Sequence, residues 1–373
     1  GEGEPNILLD IAHNLPQQLA TKIRGRLMGG EINYNEATGE ISGWGRYRGG
    51  FAAGDPYNVY FTLTLDQKPE SVTVTENGIE ALYAQIKLPE KTQTVRLNIG
   101  VSMRSVENSR KFLAEEIGSR SFEQIKEAAR KAWNDQLGVI TFEGGTETER
   151  RLFYTALYHS FVMPRDRTGD NPNWESDLAH LDDHYCVWDT FRTKYPLMIL
   201  LQESFVSKPI QSFIDRFAHN GICNPSFVSS LEWSGKQGGD DVDNIIADAI
   251  LKGVKGFDEQ KAYELAKWNA YHNRNEDYLR YGWIPDHGQI MGCSANLEFA
   301  YNDFCTAQIA ERRGDDSTAA FLYERSQSWE KIFNPNLESG GFKGFTGPRK
   351  ENGEWIEIDP AKVYGSWVEY LYE

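Results

Sequence analysis

The hydrophobic pattern of the chain changes its period near residue 106, and this change limits the folds available to it. Before this point, apolar and polar residues alternate in short runs, such as 41–47 and 59–65, which Gly, Asn and Pro separate. This pattern is typical of an antiparallel β-sandwich. After it, apolar residues recur at helical spacing, first in 121–133, where Ser121 stands at an expected N-cap. The sequence therefore predicts a β domain followed by a helical domain.

Helical spacing continues through most of the remaining chain, without strands in between. Such consecutive helices favour an α/α barrel or a solenoid over an α/β fold. There is no short fixed repeat, so periodicity alone leaves both of these open. Strands are predicted at 22–27, 30–34, 41–47, 59–65, 71–74, 82–88 and 94–101. Further helices are predicted at 147–161, 189–206, 207–219, 241–253, 258–273, 296–313 and 315–332.

Length and charge narrow the class of protein. A chain of 373 residues exceeds what one hydrophobic core usually organises, so two domains are expected. The net charge is -16 and Lys and Arg form no block, which argues against nucleic-acid binding because phosphate contacts need a basic surface. The longest apolar run, residues 195–201, is far shorter than the ~20 residues that span a bilayer. We expect neither a nucleic-acid partner nor a membrane span.

The cysteines and the first residues carry less information. Cys186, Cys223, Cys293 and Cys305 lack the CxxC spacing and the His partners of zinc or redox sites. We expect them to be buried free thiols, although the sequence leaves their pairing open. No signal peptide opens the chain, and its first residues have the pattern of a loop and a strand, which predicts a processed or truncated start.

Trp188, Asp189 and Arg192 place a ring, a carboxylate and a guanidinium within five positions, just before an apolar run. A Trp face packs on the C–H surface of a pyranose, a carboxylate accepts hydrogen bonds from neighbouring hydroxyls, and a guanidinium binds oxygen atoms in pairs. These residues are therefore candidates for binding a sugar. The alternative is an ordinary helix start, in which the helix dipole favours Asp189 and Trp188 lies in the core.

The densest acidic cluster lies in residues 238–244, which include Asp240 and Asp241 at a predicted helix start. Its spacing does not match an EF-hand, which needs a Gly at the sixth position and a Glu at the twelfth. Carboxylates that cap the helix would explain the cluster. Further along, Glu298 and Asp303 lie on a helix with a wide apolar face, so we expect one of them to be buried and paired.

Five blocks of the sequence occur in the order of a known family: residues 188–192, 246–253, 282–285, 297–305 and 333–335. Together they resemble the barrel half of the bacterial glycoside hydrolase family 92 α-mannosidases, over roughly residues 110 to 373. The resemblance implies a partial β-sandwich at 1–105, a helical linker at 106–145 and the N-terminal portion of an (α/α)6 barrel catalytic domain at 146–373. It implies a fragment that lacks the family's N-terminal start and the C-terminal part of its barrel.

The same resemblance implies roles for individual residues. It makes Glu373 the general acid, and Glu369 is the other candidate for this role. It places the general base and the calcium ligands outside this chain. No metal ligand is therefore expected within it. Trp283 and His287 would form an outer subsite, and the loop that holds the acidic cluster would face the active site. The residues expected to bind substrate are Trp188, Asp189, Arg192, Asp240, Asp241, Trp283 and His287.

The function that the resemblance implies is that of a calcium-dependent exo-α-mannosidase, which releases terminal α-linked mannose from N-glycans or mannans with inversion. Hydrolysis of mannose-phosphate diester caps is an alternative. A phosphate leaving group needs little help from an acid, so a Gln in place of the acid would indicate this activity, and Glu373 argues against it. A non-catalytic carbohydrate-binding protein is the third possibility. The expected location is extracellular or periplasmic in a bacterium. The expected partners are a mannose-containing oligosaccharide and the remaining C-terminal part of the barrel, supplied by the same polypeptide or by another chain.

Overall fold

The computed structural model describes residues 4–13, 26–49, 55–78, 81–184, 186–232, 238–286 and 292–361. The chain forms two compact units. The first comprises residues 1–162, 167–175 and 228–231, and the second comprises residues 163–166, 176–227 and 232–373.

The described part of the first unit contains seven strands, which pair in antiparallel fashion. They are β1 (Asn6–Asp10), β2 (Arg26–Asn35), β3 (Glu40–Arg48), β4 (Tyr57–Leu65), β5 (Ser71–Asn77), β6 (Ala81–Lys87) and β7 (Leu97–Ser102). A four-stranded sheet has the order β2–β3–β4–β7, and a three-stranded sheet has the order β1–β6–β5.

The alternating apolar residues of the strands form one core that these two sheets share. Ile41 and Leu63 come from the four-stranded sheet, and Leu82 and Ile86 come from the three-stranded one. All four side chains are buried in a single apolar cluster. Removing this apolar surface from water is the main force that holds the sheets together. The predicted β-sandwich is confirmed.

Three α-helices follow the strands in the first unit: α1 (Val106–Phe112), α2 (Phe122–Leu137) and α3 (Glu147–Phe161), with a π-helical turn at Leu113–Ile117. Ser121 caps α2 and exchanges hydrogen bonds with Gln124, which confirms the predicted N-cap. The expected domain bounds at 105 and 145 differ from the division into units, because these helices cluster with the strands. The domain bounds themselves stay a prediction.

The described part of the second unit is mostly helical. Its helices are α4 (Val187–Thr190), α5 (Lys194–Leu201), α6 (Ser204–Asn220), α7 (Val242–Lys252), α8 (Glu259–Trp268), α9 (Glu276–Tyr281), α10 (Gly292–Arg312), α11 (Asp316–Ser326) and α12 (Trp329–Ile332), with a π-helical turn at Asn269–Asn273. The remaining described strands of the chain are β8 (Arg165–Asp166), β9 (Leu181–Asp182), β10 (Phe227–Val228), β11 (Leu231–Glu232), β12 (Phe333–Ser339) and β13 (Phe342–Thr346).

Helix α10 is the central element of this unit, since it packs against α7, α8, α11 and α12. The buried face of α7 carries Ile245, Ile246 and Ile250, and α10 contributes Phe299 and Ile309. In the described residues of this unit, strands between the helices form only two-stranded pairs. The predicted helical domain is confirmed.

The predicted helix at 189–206 is wrong, because three helices occupy this stretch. Thr193 and Gln202 both leave the helical region of backbone space, with φ, ψ of -132°, -51° and -162°, 94°. Pro196 explains part of the interruption, since proline is favoured in the first turn of a helix over its interior and α5 begins two residues before it. The predicted boundary between 206 and 207 is also wrong, because α6 continues through it.

Within the described ranges, no helix combines the length and the apolar character that are needed to cross a membrane.

Candidate functional site

A buried guanidinium joins three separate segments of the second unit. Arg274 Nη1 lies 2.6 Å from Asp240 Oδ2, and its Nη2 lies 2.9 Å from Asp243 Oδ2. The same Nη2 lies 3.4 Å from Asp303 Oδ1 on α10. All four side chains are fully buried. Burial raises the pKa of the Asp243 carboxyl, and the charge of Arg274 acts in the opposite direction.

Asp303 is held by a second cation and by a phenol. Arg325 contacts it through Nε at 2.6 Å and through Nη2 at 2.8 Å. The Tyr278 hydroxyl donates to Asp303 Oδ2 at 2.9 Å. Of the two acids that the sequence placed on this helix, Asp303 is therefore the buried and paired one, as expected. Arg274, Arg325, Asp240, Asp243 and Asp303 are called the buried ion network below.

Asn302 connects the acidic cluster to α10. Its side-chain oxygen accepts the backbone N–H of Asp240 at 2.8 Å. Its side-chain nitrogen donates to Asp241 Oδ1 at 3.0 Å and to Asn244 Oδ1 at 3.1 Å. Asp241 stands at the N-cap of α7, but its side chain makes no capping hydrogen bond. The interpretation of the cluster as side-chain caps is wrong, because these carboxylates bond instead to side chains of α7, of α10 and of residues 269–274.

Two glycines allow the segment before Asp240 to approach its neighbours closely. Gly238 has φ of +75°, and a Cβ atom placed on it would lie 2.9 Å from Trp188 Cβ and 3.1 Å from Asp241 Oδ2. A Cβ on Gly239 would lie 2.9 Å from Glu298 Cβ. A side chain at either position would clash, so glycine is required for this segment to lie between Trp188 and Glu298.

Trp188, Asp189 and Arg192, called the Trp-Asp-Arg block below, adjoin this glycine segment through Trp188. Arg192 forms an ion pair with Glu298 on α10, and its guanidinium also stacks over the ring of Phe191. Trp188 is half-buried, whereas Asp189 is exposed. Partial burial raises the pKa of Asp189, and Arg192 opposes this effect. The structure thus brings Trp188 and Arg192 next to the glycine pair and α10.

The other predicted site residues lie elsewhere or outside the described ranges. Trp283 is buried, packs with Cys293 and Ile332, and has the guanidinium of Arg349 over its ring at 5.4 Å. Glu373 and His287 lie outside the described residues. The roles predicted for all of these residues, and for Asp240, Asp241 and the Trp-Asp-Arg block, stay predictions.

No group of three or more His, Cys, Asp or Glu side chains is placed to hold a metal ion within the described part of the chain. Asp240, Asp241, Asp243 and Asp303 have guanidinium or amide partners. These residues do not fit a calcium site. None of the four cysteines forms a disulfide; Cys223, Cys293 and Cys305 are buried as expected, whereas Cys186 is half-buried.

Sequence reasoning missed Arg274 and Asn302, which organise this site. One signal was available for Arg274: several acids at the start of one predicted helix need a counter-ion if they are buried, and Arg274 follows the predicted helix that comes next. For Asn302 the sequence contains no comparable signal, since a lone amide within an apolar helix has no preferred partner.

We predict that Asp303→Asn lowers the free energy of unfolding by about 3–5 kcal/mol, because it leaves two buried guanidiniums short of a carboxylate. Chemical denaturation of the purified chain measures this loss. Asp248→Asn is the control, since Asp248 forms only a half-exposed ion pair with Lys252 on α7 and should cost about 0.3–0.5 kcal/mol. Equal losses in the two variants would contradict a stabilising role for the buried ion network.

Comparison with known proteins identifies the family. Residues 108–371 match the model of the glycosyl hydrolase family 92 catalytic domain. A protein of Arthroderma benhamiae described as an uncharacterized secreted glycosidase is 28% identical over 337 residues, which make up 81% of this chain and 40% of that protein.

Solved structures agree on the fold. A family GH92 α-mannosidase of Bacteroides thetaiotaomicron in complex with mannoimidazole aligns with a TM-score of 0.79 at 22% identity, over 94% of this chain and 48% of its own. A family GH92 inverting mannosidase of the same species gives 0.80 at 22% identity, over 97% and 50%. This chain therefore spans about half the length of its solved relatives, and it belongs to glycosyl hydrolase family 92.

Proposed function

We propose that this chain is part of an exo-acting α-mannosidase, which hydrolyses terminal α-linked mannose from N-glycans or mannans with inversion at the anomeric carbon. The observation that carries the proposal is the position of Trp188 and Arg192, which lie beside the glycine pair and Glu298 in a chain that belongs to family 92. A half-buried indole next to a guanidinium and carboxylates is the combination that sugar binding needs.

Each member of the Trp-Asp-Arg block has a separate task in this proposal. The face of Trp188 supports the apolar side of the mannose ring. Asp189 is exposed, so its carboxylate is able to accept hydrogen bonds from two neighbouring hydroxyls. Arg192 is fixed by Glu298 and presents its remaining N–H groups to sugar oxygens.

The chemical step needs two carboxyl groups on opposite sides of the glycosidic bond. In an inverting enzyme they stand about 6.5–9.5 Å apart, so that a water molecule fits beside the sugar. Glu373 is the proposed acid, and the proposed base and calcium ligands belong to residues outside this chain. One solved relative is an inverting mannosidase, which supports this stereochemistry.

An apolar groove supports the proposal that further parts of the protein complete the barrel. Leu297, Tyr301, Phe304 and Trp329 line a groove of about 330 Å³ in the second unit, and each is between 40% and 45% exposed. A second groove, of about 410 Å³, shares Tyr301 with it. Because so much clustered apolar surface seldom stays in water, we infer that the remaining C-terminal part of the barrel covers it.

The proposed substrate and location rest on relatives. The ligand in one solved relative is mannoimidazole, which favours a mannose-containing oligosaccharide as substrate. The Arthroderma benhamiae relative is described as secreted, which favours a location outside the cytoplasm.

The direct test is the release of mannose from an α-linked mannobiose, measured with and without a calcium chelator. We expect a longer form of the protein that includes the rest of the barrel to release mannose, and chelation to abolish this activity. The 373-residue chain should gain activity only when the missing part is added. If the longer form binds mannobiose without hydrolysing it, the carbohydrate-binding alternative is favoured. If it cleaves only mannose-phosphate diesters, hydrolysis of mannose-phosphate caps is favoured.

Asp189→Asn should reduce kcat/KM on an α-mannoside by roughly 10- to 100-fold, because it removes charge-assisted hydrogen bonds while it preserves shape. The melting temperature should change little, since Asp189 is exposed. Asp177→Asn, at another exposed carboxylate of the second unit, is the control and should retain activity. An unchanged kcat/KM, or loss of folding, would refute the role of Asp189.

Glu373→Gln in the longer form should abolish cleavage of substrates with poor leaving groups and spare activated aryl mannosides to a larger degree. The reason is that a leaving group of low pKa needs less protonation. The ratio of the two rate losses is the measurement, and Glu369→Gln is the matched control. Equal losses on both substrates would remove Glu373 from the role of acid, and a first-formed mannose of α configuration by NMR would overturn the inverting mechanism.

A further inference from the structure

His184 is a buried histidine in the stretch of chain that leads to the Trp-Asp-Arg block. Its side chain is 2% exposed, and its ring packs on that of Phe213 on α6, with 4.8 Å between the two ring centroids. Among the described residues, neither Nδ1 nor Nε2 of His184 has a hydrogen-bond partner. Such a site accommodates the neutral imidazole far better than the imidazolium, because burying an unpaired charge is very costly.

The described charged groups that act on His184 are cations. Arg216 on α6 is fully buried, Lys194 lies at the start of α5, and His180 lies on the same stretch as His184. Burial, and then the positive charges of Arg216 and Lys194, lower the pKa of His184 well below its ordinary value of 6.5. The other titratable groups around Arg216 are Glu232, Asp182, Cys223 and Tyr195.

The backbone on both sides of His184 is strained. Asp183 has φ of +60° and Cys186 has φ of +54°, in the left-handed region that residues other than glycine seldom adopt. Such conformations persist only where surrounding contacts hold them. Here the N–H of Phe227 donates to the His184 carbonyl at 2.8 Å, and Asp183 pairs with Arg165 at 3.0 Å. The ion pair is partly exposed and therefore weak, so the buried imidazole and the backbone hydrogen bond hold this stretch.

We propose that the neutral imidazole of His184 anchors the chain directly before the Trp-Asp-Arg block, and that protonation of this imidazole releases the anchor, so that acid pH opens the block. Cys186 is the N-cap of α4, whose single turn contains Trp188 and Asp189. A protonated His184 carries its charge beside Arg216 without a hydrogen-bond acceptor among the described residues, so it leaves its apolar surroundings and the strained backbone relaxes. The consequence for sugar binding rests on the proposed function.

The burial of the ring fixes the direction of the pH dependence. In an opened chain His184 binds a proton with its ordinary pKa of 6.5, whereas in the folded chain its pKa is lower. The open state therefore binds more protons, so the contribution of His184 to stability is complete above about pH 6.5 and is lost as the pH falls below this value. Burial lowers the pKa of Lys194 to about 8, so most of its own titration is over before pH 7 is reached.

The test is hydrogen exchange of the purified chain at pH 7 and pH 5, measured by mass spectrometry and corrected for the intrinsic exchange rate at each pH. We expect the opening constant of residues 186–192 to rise roughly 10- to 25-fold at pH 5, since the open state takes up the proton, while residues 299–310 of α10 keep their protection. His184→Phe retains a ring, loses no described side-chain hydrogen bond and cannot be protonated, so it should abolish the rise.

His272→Phe is the matched control for this experiment. It removes an exposed histidine of the same unit, and its exchange at the two pH values should follow that of wild type. If His184→Phe fails to fold, His184→Gln takes its place, because its amide also cannot take up a proton in this range.

The consequence for the sugar site is measured by calorimetry with methyl α-mannoside on the longer form of the protein. Between pH 7 and pH 5 the apparent affinity of wild type should fall by the fraction of molecules that exchange shows to be open. The affinity of His184→Phe should fall less. An equal fall in both proteins would overturn the connection between His184 and the sugar site.

The exchange data decide on His184 independently of any sugar. An opening constant that does not change with pH in wild type, or that rises equally in wild type and His184→Phe, would overturn its role. A loss of protection spread evenly over the chain would also overturn it, because global unfolding does not select the residues before and within α4. A longer form that binds and cleaves no mannoside at either pH refutes the proposed function, and the exchange comparison still tests the anchor.

Discussion

The candidate site depends on one buried guanidinium. Arg274 has no exposed surface, so its charge must be balanced within the second unit, and three carboxylates from α10 and from the start of α7 do this. Replacing all of these charges by apolar side chains would cost little, because desolvation offsets their attraction, whereas removing a single partner leaves a buried charge unpaired and is strongly destabilising. The effect of the arrangement is specificity of position: Arg274 can be buried only when the start of α7 and the middle of α10 occupy fixed places around it. Those two segments carry Asp241 and Glu298.

This constraint explains why neighbouring residues of the acidic cluster behave differently. Asp240 and Asp243 point into the buried ion network, and Asn302 holds the backbone of Asp240. Asp241, in between, is connected to α10 by one of its oxygen atoms only. A site that must bind a ligand tightly needs its groups fixed before the ligand arrives. The ion network and Asn302 supply such fixation for the start of α7.

Sequence alone predicted those features that depend on local pattern. The alternation in strands such as β3 and the N-cap at Ser121 follow from neighbouring residues, and both are confirmed. The breaks around α5 were missed, because apolar spacing continues through Thr193 although the backbone does not. The partners of Asp240 were missed for a related reason: Arg274 lies 34 residues further along the chain, and nothing local selects it from the other cations.

The position of the apolar groove bears on how the active site is assembled. Tyr301 lines both grooves, and its ring stacks with those of Phe191 and Phe304. Because Phe191 directly precedes Arg192, the exposed apolar surface begins close to Arg192. Burying such surface is favourable by about 25 cal/mol for each Å² removed from water. Helices that cover this surface would therefore also exclude water from the neighbourhood of Arg192 and Glu298. Exclusion of water strengthens the hydrogen bonds and charge interactions on which sugar binding relies. Under the proposed function, covering this surface would complete the barrel and also remove water from the surroundings of Arg192 and Glu298.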